Sequence, residues 1–324
     1  MPSSLWAADK PKLDKRPVAL LLPLTGERAA LGLSMSRAAA LAESDGTLMQ
    51  LIDTGGTPAG AAAAAVSAVK RRAAMVLGPL TADEALAVGN LAVPVIAFTN
   101  DTAVAASGAY VFGLTPHQST SAILRYARSR GVREVVALGD GTPWSLAASA
   151  AALALQGELG IDVRTVTVTD GQPLPQAGEM PDALLATGGG ERVLAAARAL
   201  KDSGVQLLAT VQALDHRPAA LAALEDAWIA APDPKSFGTF SSEFEAKVGG
   251  TAGALAALAY DAAGIAKALR KSGTIDRAAL LAADSFPGVM GAVRFRTDGS
   301  CARELAILTA SRDGYASVAT SRGA

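Results

Sequence analysis

The chain has 324 residues, half of them hydrophobic but only 4% aromatic, which is enough for two lobes of ordinary size and more than a small stapled module holds. Its 29 basic and 30 acidic side chains nearly cancel, so no global basic field exists for nucleic acid or an anionic membrane. A single cysteine, Cys301, excludes an intrachain disulfide and a multi-cysteine metal cluster, and the two histidines, His117 and His216, are too far apart in sequence to suggest a histidine-rich metal site.

Much of the apolar content is alanine, the best helix former, and this favours helices packed closely on a sheet. No apolar run approaches the length of a transmembrane segment. The first residues, MPSSLWAADKPKLDKR, carry no apolar targeting core, and residues 1–13 are expected to be flexible; either the protein is cytoplasmic or a leader has been removed.

From residue 18 onward, short β-branched or leucine-rich runs alternate with longer alanine-rich ones, the βαβ rhythm of a parallel sheet covered by helices. Strands are expected at 18–24, 48–53, 75–77 and 93–98, with helices at 29–43, 59–72 and from Ala82. After Thr115-Pro116 the pattern restarts: helix 117–130, strand 135–138, helix 145–159, strands 163–168 and 183–186, helix 190–203, strands 206–210 and 227–230. Between Asp170 and Pro181 lies a loop rich in proline and glycine. The Pro232-Asp233-Pro234 segment interrupts both helix and sheet and is expected to cross between lobes. Helices at 237–248, 251–272 and 276–283 and strands near 293–296, 304–310 and 315–319 finish the chain.

This is an α/β fold of two doubly wound, Rossmann-like lobes facing a central cleft, with residues 14–115 plus 236–285 expected in one lobe and 116–235 plus 286–320 in the other. Ligands in open α/β sheets sit beyond the carboxyl ends of strands, so loops 24–28, 78–82, 98–102, 139–145, 187–190 and 211–215 are the places to search. Thr81 opens a T-x-x-E capping box, which either satisfies itself or leaves Thr81 and the amides near Ala82 to bind a carboxylate. Thr99, Asn100 and Asp101 follow the fourth strand and offer a hydroxyl, an amide and an anion; they suit an ammonium group or simply form a turn. Trp144 is either an apolar wall of the cleft or core packing. The run Gly188-Gly189-Gly190 is either an anion cradle or a tight turn.

Catalytic signatures are weaker. Ser67-Ala68-Val69-Lys70 matches S-x-x-K and Lys271-Ser272-Gly273 resembles K-[ST]-G, yet the middle S-x-N element is missing and the second segment reads as a helix C-terminus. No nucleophile elbow, phosphate loop or dinucleotide fingerprint is present, and nothing calls for a cofactor or a metal. His117 and His216 read as a helix-start and a loop residue, and Cys301 as structural.

Several segments taken in order, VALLLPLTG, LIDTGGTPAGAAAAAVSAV, AAMVLGPLTADEA, VPVIAFTND, ALAALAYDAAGIAKAL and FRTDG, resemble the type I periplasmic-binding-protein fold of the Leu/Ile/Val-binding class. Within it, DTGGTP, LGPL, PVIAFTND and DAWIAAPDP look most like the penicillin-binding protein activator group of envelope lipoproteins. The resemblance implies a non-enzymatic, bilobed protein of the periplasm or outer membrane, although no lipobox cysteine stands in this chain. It implies contacts to the α-carboxylate and ammonium of an amino acid from Thr81 with Ala82 and from Thr99, Asn100 and Asp101, with Thr25 closing one end of the cleft.

The second lobe departs from that pattern. Gly189, within its glycine run, stands where amino-acid-binding relatives carry an aromatic, Gln212 where they carry an acid, and Trp144-Ser145 replaces a tyrosine-glycine pair. A different ligand, or none, is one expected consequence. Two functions follow from the resemblance: a regulator that docks on a cell-wall synthase, or the solute-binding component that serves an ABC permease for branched-chain or other amino acids or small amphipathic molecules.

Overall fold

The leucine-rich run at the start of the chain forms a fully buried strand, β1 (Val18–Leu22), and β2 (Met49–Asp53), β3 (Met75–Leu77), β4 (Val95–Ala97) and β5 (Tyr110–Val111) align parallel to it in the order β2-β1-β3-β4-β5. The computed structural model describes residues 13–43, 48–168 and 181–323. Two sequence expectations, the flexible segment 1–13 and the loop from Asp170 to Pro181, lie outside the described residues apart from Leu13 and Pro181.

Helices α1 (Ala29–Ala42), α2 (Pro58–Lys70) and α3 (Ala82–Val88) cover the sheet. The alanine excess is used here: α2 buries Ala61, Ala64, Ala65 and Ala68 in a cluster with Ala19, Leu21 and Val76, where larger side chains would hold the helix off the sheet. The second sheet takes β6 (Glu134–Gly139), β7 (Asp162–Thr167), β8 (Ala183–Ala186), β9 (Gln206–Ala209) and β10 (Trp228–Ala231) in parallel. It is flanked by α4 (Pro116–Ser129), α5 (Pro143–Leu159), α6 (Glu191–Leu200) and α7 (Pro218–Ala223).

The chain then returns to the first core with α8 (Pro234–Val248), α9 (Ala254–Ser272) and α10 (Arg277–Ala282), whose Phe240, Phe244, Ala259, Ile265 and Leu280 join Leu20, Leu22 and Met35 in one cluster. It ends in the second sheet with antiparallel β11 (Val293–Phe295), β12 (Cys301–Ser311) and β13 (Gly314–Gly323). The sequence reading leaves β5, the 3-10 helix Thr102–Ser107 and α7 unassigned, because two to six residues are too few to display a period. No described helix is long and apolar enough to cross a membrane.

Three stretches, 112–115, 232–233 and 283–292, cross between the two sheets. Thr115 starts α4 with a capping box to Gln118, and Asp233 caps α8 by accepting from the Ser236 amide at 3.1 Å. Asp261 of α9 accepts from the amides of Val289 and Met290 at 2.8 and 2.9 Å. Arg303, fully buried on β12, donates to the carbonyls of Phe112 at 2.6 Å and Met290 at 3.2 Å, and its guanidinium lies 5.0 Å from the Phe112 ring centre. One side chain therefore joins the first and third crossings.

Candidate functional site

At the crossings a cleft of about 690 Å³ opens between the two sheets. Leu80, Phe98, Thr99 and Asn100 reach it from the strand ends of the first lobe, and Phe237, Ala254, Leu255 and Leu258 from helices α8 and α9. Trp144, Val211, Gln212, Leu214, His216, Leu308 and Tyr315 face them from the second lobe, while Gly113, Leu114, Pro232, Pro234 and Met290 form the floor. Among these residues the His216 imidazole is the one ionisable base, and no carboxylate, ammonium or guanidinium group is present. A charge entering without a partner would lose several kcal/mol of hydration.

Of the residues singled out in the sequence, Thr99, Asn100, Trp144 and Gln212 come together in this lining; Thr25, Thr81, Ala82, Asp101 and Gly189 do not. Local hydrogen bonds account for the polar members of the second group. The Thr25 hydroxyl donates to Asp53 at 2.6 Å. Asp101 caps the 3-10 helix by accepting from the Ala103 amide at 2.9 Å.

Thr81 is the most informative case. Its amide and hydroxyl both donate to Oε2 of Glu84, at 3.0 and 2.9 Å, while Oε1 of Glu84 accepts from the Thr54 hydroxyl at 2.7 Å. Glu84 is fully buried. The self-satisfied capping box is the arrangement adopted, and the carboxylate at the positive end of α3 belongs to the protein itself.

In the second lobe Trp144 rests on a ladder of buried hydroxyls. Its indole Nε1 donates to the Thr210 hydroxyl at 3.3 Å, which donates to the Thr187 carbonyl at 3.2 Å. The Thr187 hydroxyl donates to the Leu138 carbonyl at 3.0 Å and shares a 2.7 Å hydrogen bond with Ser145. Ser145, Thr187 and Thr210 are fully buried, so the ladder fixes the ring in place.

The glycine run serves close approach. A Cβ at Gly188 would lie 2.0 Å from a carboxylate oxygen of Asp140, and one at Gly189 would lie 2.2 Å from the Gln212 carbonyl. The loop after β8 thus packs directly on the loop after β9, which leaves no room for a side chain at Gly189.

Leu80 and Phe98 lie in the rim loops 78–82 and 98–102 without having been singled out, while sequence reasoning missed Phe237, Leu255, His216 and Tyr315, which lie outside those loops and share no spacing signal. His216 stacks edge-on to Tyr315, with ring centres 5.2 Å apart, and the Tyr315 hydroxyl donates to the Asp215 carbonyl at 2.9 Å. Asp215 is turned away: the Arg217 guanidinium, 2.6 Å distant, holds its carboxyl below the usual range. Ser67 lies late in α2, Gly273 ends α9 in the left-handed conformation, and Cys301 is buried with its thiol pushed up by desolvation. Among the described residues no cluster of histidine, cysteine and carboxylate side chains is placed to hold a metal ion.

A sequence model for periplasmic binding proteins matches residues 16–315. No curated protein sequence matches the chain. Among solved structures, a putative branched-chain amino acid ABC transporter protein from Rhodospirillum rubrum is 20% identical with a TM-score of 0.77, over 94% of this chain and 100% of that one. The LpoA C-domain from Haemophilus influenzae, a regulator of PBP1A, is 15% identical with a TM-score of 0.71 over 94% and 100%. LivJ from Streptococcus pneumoniae in complex with isoleucine is 17% identical with a TM-score of 0.59 over 95% and 99%. At these identities the likeness is one of fold.

Proposed function

We propose, from the premise that this chain belongs to the periplasmic binding protein family, that it is a non-enzymatic receptor of the cell envelope whose lobes close over a small molecule in the central cleft. The family acts outside the cytoplasm, and the periplasm is the compartment proposed here. Residues 14–115 with 236–285 are taken as one lobe and 116–235 with 286–320 as the other.

The observation that carries this reading is the cleft itself: side chains of both lobes and all three crossings converge on one apolar space of about 690 Å³, the size of a small-molecule site. A ligand touching both lobes favours the closed state and shifts the hinge equilibrium toward it. Of the proposed site residues, Thr99, Asn100, Trp144 and Gln212 are positioned to contact it. Delivery to an ABC permease is the role that fits such a site. The second reading, docking on a cell-wall synthase, draws on the fold shared with the LpoA C-domain at a TM-score of 0.71.

A thermal-shift screen of envelope metabolites followed by calorimetry tests the proposal. A ligand at a hundred times its Kd adds about 2.7 kcal/mol to stability. Trp144→Ala is expected to weaken its binding at least about fivefold, since a stacked aromatic contributes about 1 kcal/mol beyond its buried area. A hit whose affinity is the same in Trp144→Ala places binding elsewhere, and silence across the screen favours the docking role.

A further inference from the structure

We propose that the cleft selects an uncharged ligand with a flat apolar body and excludes the zwitterion of a free amino acid. This inference rests on the small-molecule reading above and narrows it to a ligand class.

A zwitterion needs donors for its carboxylate and, for its ammonium, an acceptor of opposite charge; the Thr81 donors and the carboxylates nearest the rims are committed within the chain. On the first lobe, the amide and hydroxyl of Thr81 are held by the buried Glu84 carboxylate. A ligand carboxylate at that helix end would meet the Glu84 carboxylate, already seated on the Thr81 donors. On the acceptor side, the acids near the rims are engaged locally. Asp101 caps the 3-10 helix, Asp140 accepts from both the amide and the hydroxyl of Thr142, and Asp215 is forked by Arg217. None of the three lines the cleft.

What the space offers instead is apolar and aromatic surface. Trp144 and Tyr315 line it from one lobe and Phe237 and Leu255 from the other, with the nearly buried Phe98 and Leu258 behind them. Thr99 and Asn100 at one rim and Gln212 at the other supply neutral hydrogen-bonding groups, which suit an amide, ester or hydroxyl on the ligand.

Four probes with the same phenyl group separate charge from shape: N-acetyl-phenylalaninamide, phenylalanine, 3-phenylpropionate and phenethylamine, each titrated calorimetrically into the full chain. The neutral amide is expected to bind at least about tenfold more tightly than any charged probe, and to lose affinity in Trp144→Ala. Phenylalanine or another charged probe binding as tightly as the amide overturns the uncharged-ligand inference while leaving a small-molecule site in place. Binding of the amide that is unchanged in Trp144→Ala overturns it as well, because the site is then not this cleft. No binding of any probe at millimolar concentration overturns this inference, while the small-molecule reading falls only if the metabolite screen is silent as well.

Discussion

At the scale of single residues, the features that set the site are small. Gly189 has no room for a methyl group against the Gln212 carbonyl, so Gly189→Ala is expected to push the two rim loops apart and cost about 1–3 kcal/mol, read as a lower urea midpoint. The sequence placed Thr99, Asn100, Trp144 and Gln212 at strand ends, and the structure brings those four together because ligand-facing loops follow from strand direction. Thr81 and Asp101 stand at strand ends too, yet are spent on their own helix starts; a hydroxyl or carboxylate that can cap is read equally well as a ligand contact until its partner is known. Phe237 and Tyr315 escaped notice because each lies in a different element outside the strand-end loops and only the crossings make them neighbours.

At the scale of elements, the alternation of short buried strands and alanine-rich helices was legible, and β3 and β8 fall where their apolar runs begin and end. Boundaries shifted where proline opens a helix: α5 and α8 start at Pro143 and Pro234, two and three residues before the apolar pattern becomes periodic. Helix α9 also carries a titrating group. Burial pushes the Asp261 carboxyl up to about 6 from 3.8, against the amides of Met290 and Val289 and the nearby Arg303 charge, which favour ionisation. The folded state therefore holds this proton more tightly than the unfolded chain does. Its contribution is full below pH 3.8 and lost as pH rises through about 6, a difference of about 3 kcal/mol. Denaturation of wild type and Asp261→Asn across pH 4–7 is expected to show that the variant lacks this fall; parallel curves would refute it.

At the scale of the whole molecule, stability and hinge geometry meet in Arg303. Replacing it with methionine keeps much of the volume but leaves the Phe112 and Met290 carbonyls without their charged donor, and is expected to cost about 2–3 kcal/mol in urea denaturation. No sequence pattern announces this role, since Arg303 stands between the half-buried Ala302 and the exposed Glu304 on an ordinary strand and its partners lie 13 and 191 residues away. The arrangement has a mechanical consequence. Two bodies linked by three independent cords can bend, twist and slide; with the first and third cords knotted at one guanidinium, a pull on either is carried to the other, so the two sheets are held against sliding past each other at the point where all three cords meet the cleft.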